Sequence, residues 1–434
     1  MTVQTSDFAF SPAAPATIEE TGLSREFLVD LCLKVIYRRG LTTMTDVCKA
    51  VRLPGVVMSE LFQTMRDDRL LATLGQLGGN MRSEMRYELT DKGRSWAVES
   101  LARQDYAGPC PVTLESFRRA VAAQSVKSRR ISKERLEQSF GDLVLPEGLL
   151  GRLGPAVNSG RSILLYGPPG NGKSSYAHAL ARAMEGDILV PYAIYVDGDI
   201  ILYFDPNVHR PLDDPDDIRL EDIYGSDAPD LRFIECVRPT VVTGAELTVD
   251  MLDLRYNPAS RTYQAPLHMK ASNGVFIVDD LGRQRETPQQ LINRLIVPME
   301  EGVDYLSLIS GLSFQVPFDT LMIFSTNIAP TQLVDGAGLR RIYYKILVDR
   351  PKREEFVKIF LRQCRRYGVA PDEAALNHII NELYGNSDIT YSAYHAPYLI
   401  DQTLAACDYH GEPRALKIPY LDEAWDNLYV DESV

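Results

Sequence analysis

Apolar residues recur at helical spacing through REFLVDLCLKVIYRRG, a run that stops at Gly40, and again through MTDVCKAVRLP and VVMSELFQTMRDDRLLATLG. That spacing gathers the apolar side chains into one stripe, so three helices are predicted in this stretch. GQLGGNMRSEMRYELTDKG then alternates in two short runs broken by glycines, which predicts a hairpin, and a further helix runs from about Lys92 to Leu101. In the middle of the chain the period changes. SILLY from Ser162, GVFIV from Gly274 and TLMIF from Thr320 are short, almost unbroken apolar runs with a β-branched bias. This is the pattern of strands covered on both faces in a parallel sheet. Beyond Pro351, REEFVKIFLRQCRRYG, DEAALNHIINELYG and APYLIDQTLAACDYHG return to helical spacing, each ending at a glycine, and LDEAWDNLY closes the series.

These changes of pattern divide the chain into a flexible leader (1–19), a three-helix and hairpin unit (20–107), a join (108–134), an α/β core (135–350) and a helical C-terminal unit (351–434). Length supports the division, because 434 residues exceed what one hydrophobic core comfortably holds. The order of three helices and a glycine-tipped hairpin in residues 20–107 resembles a winged helix. Winged helices often bind DNA, so charge bears on the reading. Residues 20–107 carry thirteen Arg or Lys against twelve Asp or Glu, and Arg66 and Arg69 stand beside Asp67 and Asp68. A groove-reading helix needs a dense basic and polar face, so docking of a protein or organisation of an assembly is the favoured role. The whole chain has a net charge of −13 and a pI near 5.1, which excludes a protein that coats nucleic acid non-specifically. The first nineteen residues lack the basic start and apolar run of an export signal, and no stretch approaches eighteen uncharged apolar residues, so a cytoplasmic protein without membrane insertion is expected. The six cysteines have no C-x-x-C spacing and read as buried free thiols.

The strongest chemical signal is SILLYGPPGNGKSSYAHALARAM, in which a strand pattern leads into Gly167, Pro168, Pro169, Gly170, Asn171, Gly172, Lys173, Ser174 and Ser175 and then a helical run. G-x-x-x-x-G-K-S between a strand and a helix is a phosphate-binding loop. Its glycines turn backbone N–H groups inward, and the helix start adds its positive end. Lys173 is expected to reach the β and γ phosphates of ATP, and Ser174 to place its hydroxyl on Mg2+. The run GVFIVDD ends in two acids, of which Asp279 is expected to organise the magnesium. TLMIFSTN ends in Thr326 and Asn327, polar groups suited to hold an attacking water or the γ-phosphate.

The phosphate loop, VFIVDD, STN and DGAGLRRIYYKI, followed by a helical C-terminal unit, together resemble the AAA+ ATPases over roughly residues 135–434, and a group of bacterial AAA-family ATPases in particular, some of them chaperone-like. The resemblance implies a P-loop core with a helical lid. It makes Asp279 the magnesium acid, Asp280 the water-activating acid, Asn327 the first sensor, and Arg340 or Arg341 the arginine finger. It also implies a homo-oligomer, usually a hexameric ring or a helical assembly, with ATP between subunits and arginine supplied across the interface. Two departures stand out. The superfamily usually has glutamate where Asp280 stands, so the shorter acid must approach more closely, act through a second water, or be supplemented by Glu246 or a neighbour's acid. The lid position that normally carries an arginine aligns with Pro397, and Arg414 is the nearest later arginine. Arg283, Arg285 and Arg294 follow the acids as further candidates for a role across the interface.

About ninety residues separate the helix after the phosphate loop from GVFIVDD. LDLRYNPASRTYQAPLHMKA alternates on both sides of NPAS and predicts a hairpin, with Tyr256, Tyr263 and Met269 available either for packing or for gripping a partner. The acidic stretch from Asp213 to Asp230 repels nucleic acid and suits a basic partner segment or a solvated loop. The expected function is an ATP-hydrolysing remodeler acting on a protein substrate or through an adaptor. A DNA-linked motor and an ATP-gated assembly with little hydrolysis are the rivals.

Overall fold

A computed structural model of the chain describes residues 10–76, 84–141, 143–225 and 227–428. At its centre lies a five-stranded sheet with the order Thr240–Thr243, Val275–Val278, Leu321–Thr326, Ile163–Tyr166, Tyr344–Leu347. Every neighbouring pair in it is parallel. The apolar runs supply both faces. Ile163, Leu165, Val275, Ile277 and Ile323 join one buried cluster, while Leu164, Phe276, Val278, Met322 and Phe324 join the other, as the two-residue period of a strand requires. The helices Leu149–Asn158 and Lys173–Ala183 pack into the first cluster and Pro288–Glu301 into the second. This parallel sheet flanked by helices is an α/β core of P-loop-like architecture.

The parallel register brings three strand ends to one edge. Thr326 lies beside Tyr166, and Val278 beside Phe324, so Gly167, Asp279, Asp280 and Asn327 all emerge at the carboxyl end of the sheet. Ligands of open parallel sheets bind at that edge.

The alternation around NPAS forms an antiparallel pair, Arg255–Asn257 with Thr262–Gln264, and the second strand also pairs in parallel with Asp199–Leu202. The hairpin is thus the flank of a larger sheet. Tyr263 and Met269 are buried in the core beneath that sheet, so of the three residues offered as grips only Tyr256 is exposed. The segment read as a join contributes Val112, Phe117, Ala120 and Val121 to the same core.

Near the N-terminus the helices Arg25–Arg39, Met44–Val51, Gly55–Asp67 and Asp91–Arg103 surround an antiparallel pair, Leu71–Gln76 with Met85–Leu89. Ser24, Thr43 and Thr90 cap three of the helices through their side-chain oxygens. The glycine-rich tip of this hairpin lies outside the described residues. Ile218 and Ile223, from the acidic stretch, complete the core of this unit. The C-terminal helices Arg353–Arg366, His395–His410 and Ile418–Leu428 enclose Phe356, Phe360, Leu399 and Trp425. All six cysteines are buried and free. No helix among the described residues is long and apolar enough to cross a membrane.

Candidate nucleotide site

Residues 167–172 join the strand Ile163–Tyr166 to the helix Lys173–Ala183. Two of its glycines are required by geometry. Gly167 has φ +142°, and a Cβ there would lie 2.2 Å from the Val348 carbonyl oxygen. Gly170 has φ +74°, and a Cβ would lie 2.2 Å from the ring of Tyr394. The loop's asparagine is not a spectator. Buried Asn171 accepts from Ser392 Oγ at 3.0 Å and from the Ala393 N–H at 3.1 Å, while the Tyr394 N–H donates to the Gly170 carbonyl at 3.0 Å. The loop 167–172 is therefore bonded to the segment that opens the helix His395–His410. Pro168 and Pro169 lie between these two glycines, with the Pro168 carbonyl accepting from the Asn171 amide at 3.4 Å.

Lys173 is buried, and its ammonium donates to the Gly167 and Pro168 carbonyls at 2.9 and 2.8 Å. Burial pushes this ammonium below the ordinary lysine range, and the charges of Asp280 and Asp279 oppose the shift. Ser174 donates to Asp279 Oδ1 at 2.9 Å. Ser175, the next residue, is exposed and lines the adjoining cleft. One hydroxyl and one carboxylate are the hard oxygen donors with which magnesium is held beside phosphates. Among the described residues no group of three His, Cys, Asp or Glu side chains stands ready for a metal.

Asp280 is exposed, and its Oδ1 lies 3.4 Å from Asn327 Nδ2. Its backbone is left-handed, φ +50°. Asp and Asn tolerate that region better than other residues with a side chain, which is a physical reason for aspartate rather than glutamate here. Thr326 takes no part in the site: it is fully buried, and its hydroxyl donates to the Leu281 carbonyl at 2.7 Å. Ser325 takes the place expected of it, with its hydroxyl bonded to the Asp279 carboxylate and accepting from the Asp280 N–H at 3.1 Å. The two-residue period of the strand already places Ser325 with Asn327 and Thr326 on the opposite face. Gln284 was unmarked by any motif, yet its buried amide bonds the turn after the acids.

Of the arginines, Arg341 pairs with Glu300 at 3.0 Å and donates to the Ala337 carbonyl at 2.9 Å. Arg340 is exposed and has no hydrogen-bond or ion-pair partner among the described residues. Arg294 is committed elsewhere, to Asp304, Asp253 and the Leu252 carbonyl, which removes it as a free cation. Arg283 and Arg285 are exposed. Glu246 accepts from the Gly244 N–H at 2.8 Å and so is tied to its own loop. Arg414 pairs with Asp408 at 3.3 Å within the C-terminal helices. A cleft of about 560 Å³ opens beside the phosphate loop, lined by Val144, Gly170, Tyr176, Gln363, Tyr394 and Pro397 among others. Its size suits a small organic ligand.

Residues 352–427 match a family described as Domain of unknown function (DUF8689). No curated protein matches the chain. Among solved structures, a mutant of RuvB from Thermotoga maritima is similar at 14% identity and TM-score 0.40, over 66% of this chain and 71% of that one. NtrX from Brucella abortus in complex with ADP is similar at 13% identity and TM-score 0.37, over 72% of this chain and 61% of that one.

Proposed function

We propose that the chain is an ATP-hydrolysing AAA+ protein that works as a homo-oligomer, a hexameric ring or helical assembly, and remodels a protein partner. The observation that carries this reading is the meeting of Lys173, Ser174, Asp279, Asp280 and Asn327 at one edge of a parallel sheet, on three adjacent strand ends. In this reading residues 167–175 wrap the phosphates with backbone N–H groups, and Lys173 leaves its loop carbonyls for the β and γ phosphates. Ser174 and Asp279 would hold magnesium, which when bound neutralises charge on the phosphate oxygens. Asp280 and Asn327 orient the attacking water, and Arg340 of one subunit completes the site of the next, where an arginine stabilises the charge of the transferring group. Residues 351–434 serve as a lid and residues 20–107 as a winged-helix-like docking unit.

Nucleic acid is the weaker partner. Tyr224 covers the first turn of the helix Gly55–Asp67, where its hydroxyl lies 2.9 Å from Thr45 Oγ1, and the segment that brings it there is rich in carboxylates.

The test is steady-state ATP hydrolysis per subunit against protein concentration, with Asp280→Asn beside wild type. A rate that climbs with concentration and drops about 100-fold or more in the variant is expected for an assembled enzyme with a general base at this position. A flat, near-background rate despite tight ATP binding overturns the motor and leaves an ATP-held scaffold.

A further inference from the structure

We propose that Gln284 is a positioning residue for hydrolysis: its buried amide holds the turn that presents Asp280 to the phosphate loop. The inference rests on the ATP-hydrolysing reading and extends it to a residue that no motif marks.

A strand sends successive side chains to opposite faces, so two consecutive acids at a strand end do not naturally serve one site. Here they do. Asp279 accepts from Ser174 at 2.9 Å, and Asp280 lies 3.4 Å from Asn327. The left-handed backbone at Asp280, φ +50°, is where the chain departs from strand geometry. That conformation is unfavourable for a residue with a side chain and persists where the surroundings hold it.

Gln284 is the centre of that hold. It is 9% exposed, although it stands between exposed Arg283 and Arg285. Its Oε1 accepts from the Gly282 N–H at 2.9 Å. Its Nε2 faces three carbonyls, those of Gly244 at 3.0 Å, Asp279 at 3.3 Å and Asp280 at 3.4 Å. An amide nitrogen has two hydrogens, so the two longer contacts share one. The amide's orientation is forced, because the flipped form would set N–H against N–H and oxygen against three carbonyls. Around it the Arg283 N–H closes the turn onto the Asp280 carbonyl at 3.0 Å, and the Leu281 N–H bonds the Ser325 carbonyl at 2.7 Å. Gly244 follows the neighbouring strand Thr240–Thr243, so one side chain ties the acid turn to the next strand end. A shorter acid has less reach than glutamate, and its turnover depends correspondingly more on where the backbone puts it.

The test uses the full chain with Gln284→Leu, which removes every polar contact, and Gln284→Glu, which keeps length and removes the donors. Gln284→Glu serves alone if Gln284→Leu does not fold. Amide hydrogen exchange across residues 279–284 is expected to quicken at least tenfold while the rest of the chain is unchanged. With ATP and magnesium, kcat is expected to fall at least tenfold with KM within about twofold, which a merely structural role would not produce. Unchanged exchange, or a kcat within twofold of wild type despite faster exchange, overturns the proposal. If wild type itself does not hydrolyse ATP, the proposed function falls, and the exchange result alone decides whether Gln284 holds the turn.

Discussion

An arginine that completes a neighbour's site must be free in its own subunit, and this separates two adjacent residues that the sequence left equal. Arg341 is spent on Glu300 and the Ala337 carbonyl, while Arg340 is exposed and unpaired among the described residues. Arg340→Ala is therefore expected to lower turnover by about 10³-fold, the scale of a lost arginine finger, with an unchanged melting temperature. Arg341→Ala should cost no more than about 1 kcal/mol of stability, as half-exposed ion pairs do, and leave turnover within about threefold. Parallel melts and rate assays on the two variants decide it; equal rate losses would return Arg341 to the site. Histidine 209 makes a different residue-scale prediction. It is fully buried, its Nδ1 accepts from the Asp205 N–H at 3.0 Å, and its Nε2 donates to the Lys270 carbonyl at 2.9 Å, which defines a neutral ring. Burial pushes its pKa down from 6.5 to about 4. Above pH 6.5 folded and unfolded chains are both neutral at this ring, and the contribution to stability is complete. As pH falls from 6.5 towards 4 the unfolded chain takes up a proton that the folded chain refuses, so up to about 3 kcal/mol is lost across that window. Chemical denaturation at pH 7.5 and 4.5 should show a smaller drop for His209→Gln than for wild type.

Between elements, the feature that stands where a lid arginine was expected is the bonding of the phosphate loop to the C-terminal helices. Asn171 is held by Ser392 and Ala393, and the ring of Tyr394 lies against Gly170. Any change in the loop therefore has a direct route to the helix His395–His410 without a charge at Pro397. Asn171→Ala removes both bonds, and Tyr394→Ala removes the ring. Asn171→Ala is expected to weaken binding of a fluorescent ADP analogue by about tenfold, since a lost buried hydrogen bond leaves its partners unpaired at roughly 1–3 kcal/mol, and Tyr394→Ala, which costs no hydrogen bond, by less. Affinity unchanged in both variants would mean that loop and helices move independently. This tie also shows where legibility ends. The loop itself was readable because its backbone demands appear as glycines, and the acid strand because burial on both faces excludes polar residues. Ser325 is within reach of the period-2 rule, which puts Thr326 on the opposite face. Asn171's partners lie more than two hundred residues on, and Gln284's bonds reach Gly244, just past the end of another strand. Neither relation leaves a local pattern.

For the molecule as a whole, the three-helix unit and the insertion are built into each other, which the change of pattern near residue 107 did not reveal. Ile218 and Ile223 complete the N-terminal core, Arg52 pairs with Asp216 at 3.0 Å, and buried Arg232 donates to the Thr21 carbonyl at 3.0 Å. Local sequence cannot report this, because an apolar residue in an acidic loop reads the same whether it packs at home or on a neighbour. Gly55 offers a sharp test of the joint. It opens the helix Gly55–Asp67, and on propensity alone Gly55→Ala should stabilise, by up to about 1 kcal/mol in a helix interior and less at a first turn. A Cβ at this position, however, would lie 2.2 Å from Tyr224 Cε1. The ring must then shift away from the helix, losing its hydroxyl contact with Thr45. Gly55→Ala is accordingly expected to forfeit its propensity gain and to destabilise by about 1 kcal/mol, the net worth of the Tyr224–Thr45 hydrogen bond. Urea unfolding measures the sign directly. A gain in stability would mean that Tyr224 moves aside freely and that the unit is only loosely seated. A loss, with one cooperative transition retained, would mean that residues 20–107 and the segment carrying Tyr224 unfold as one body.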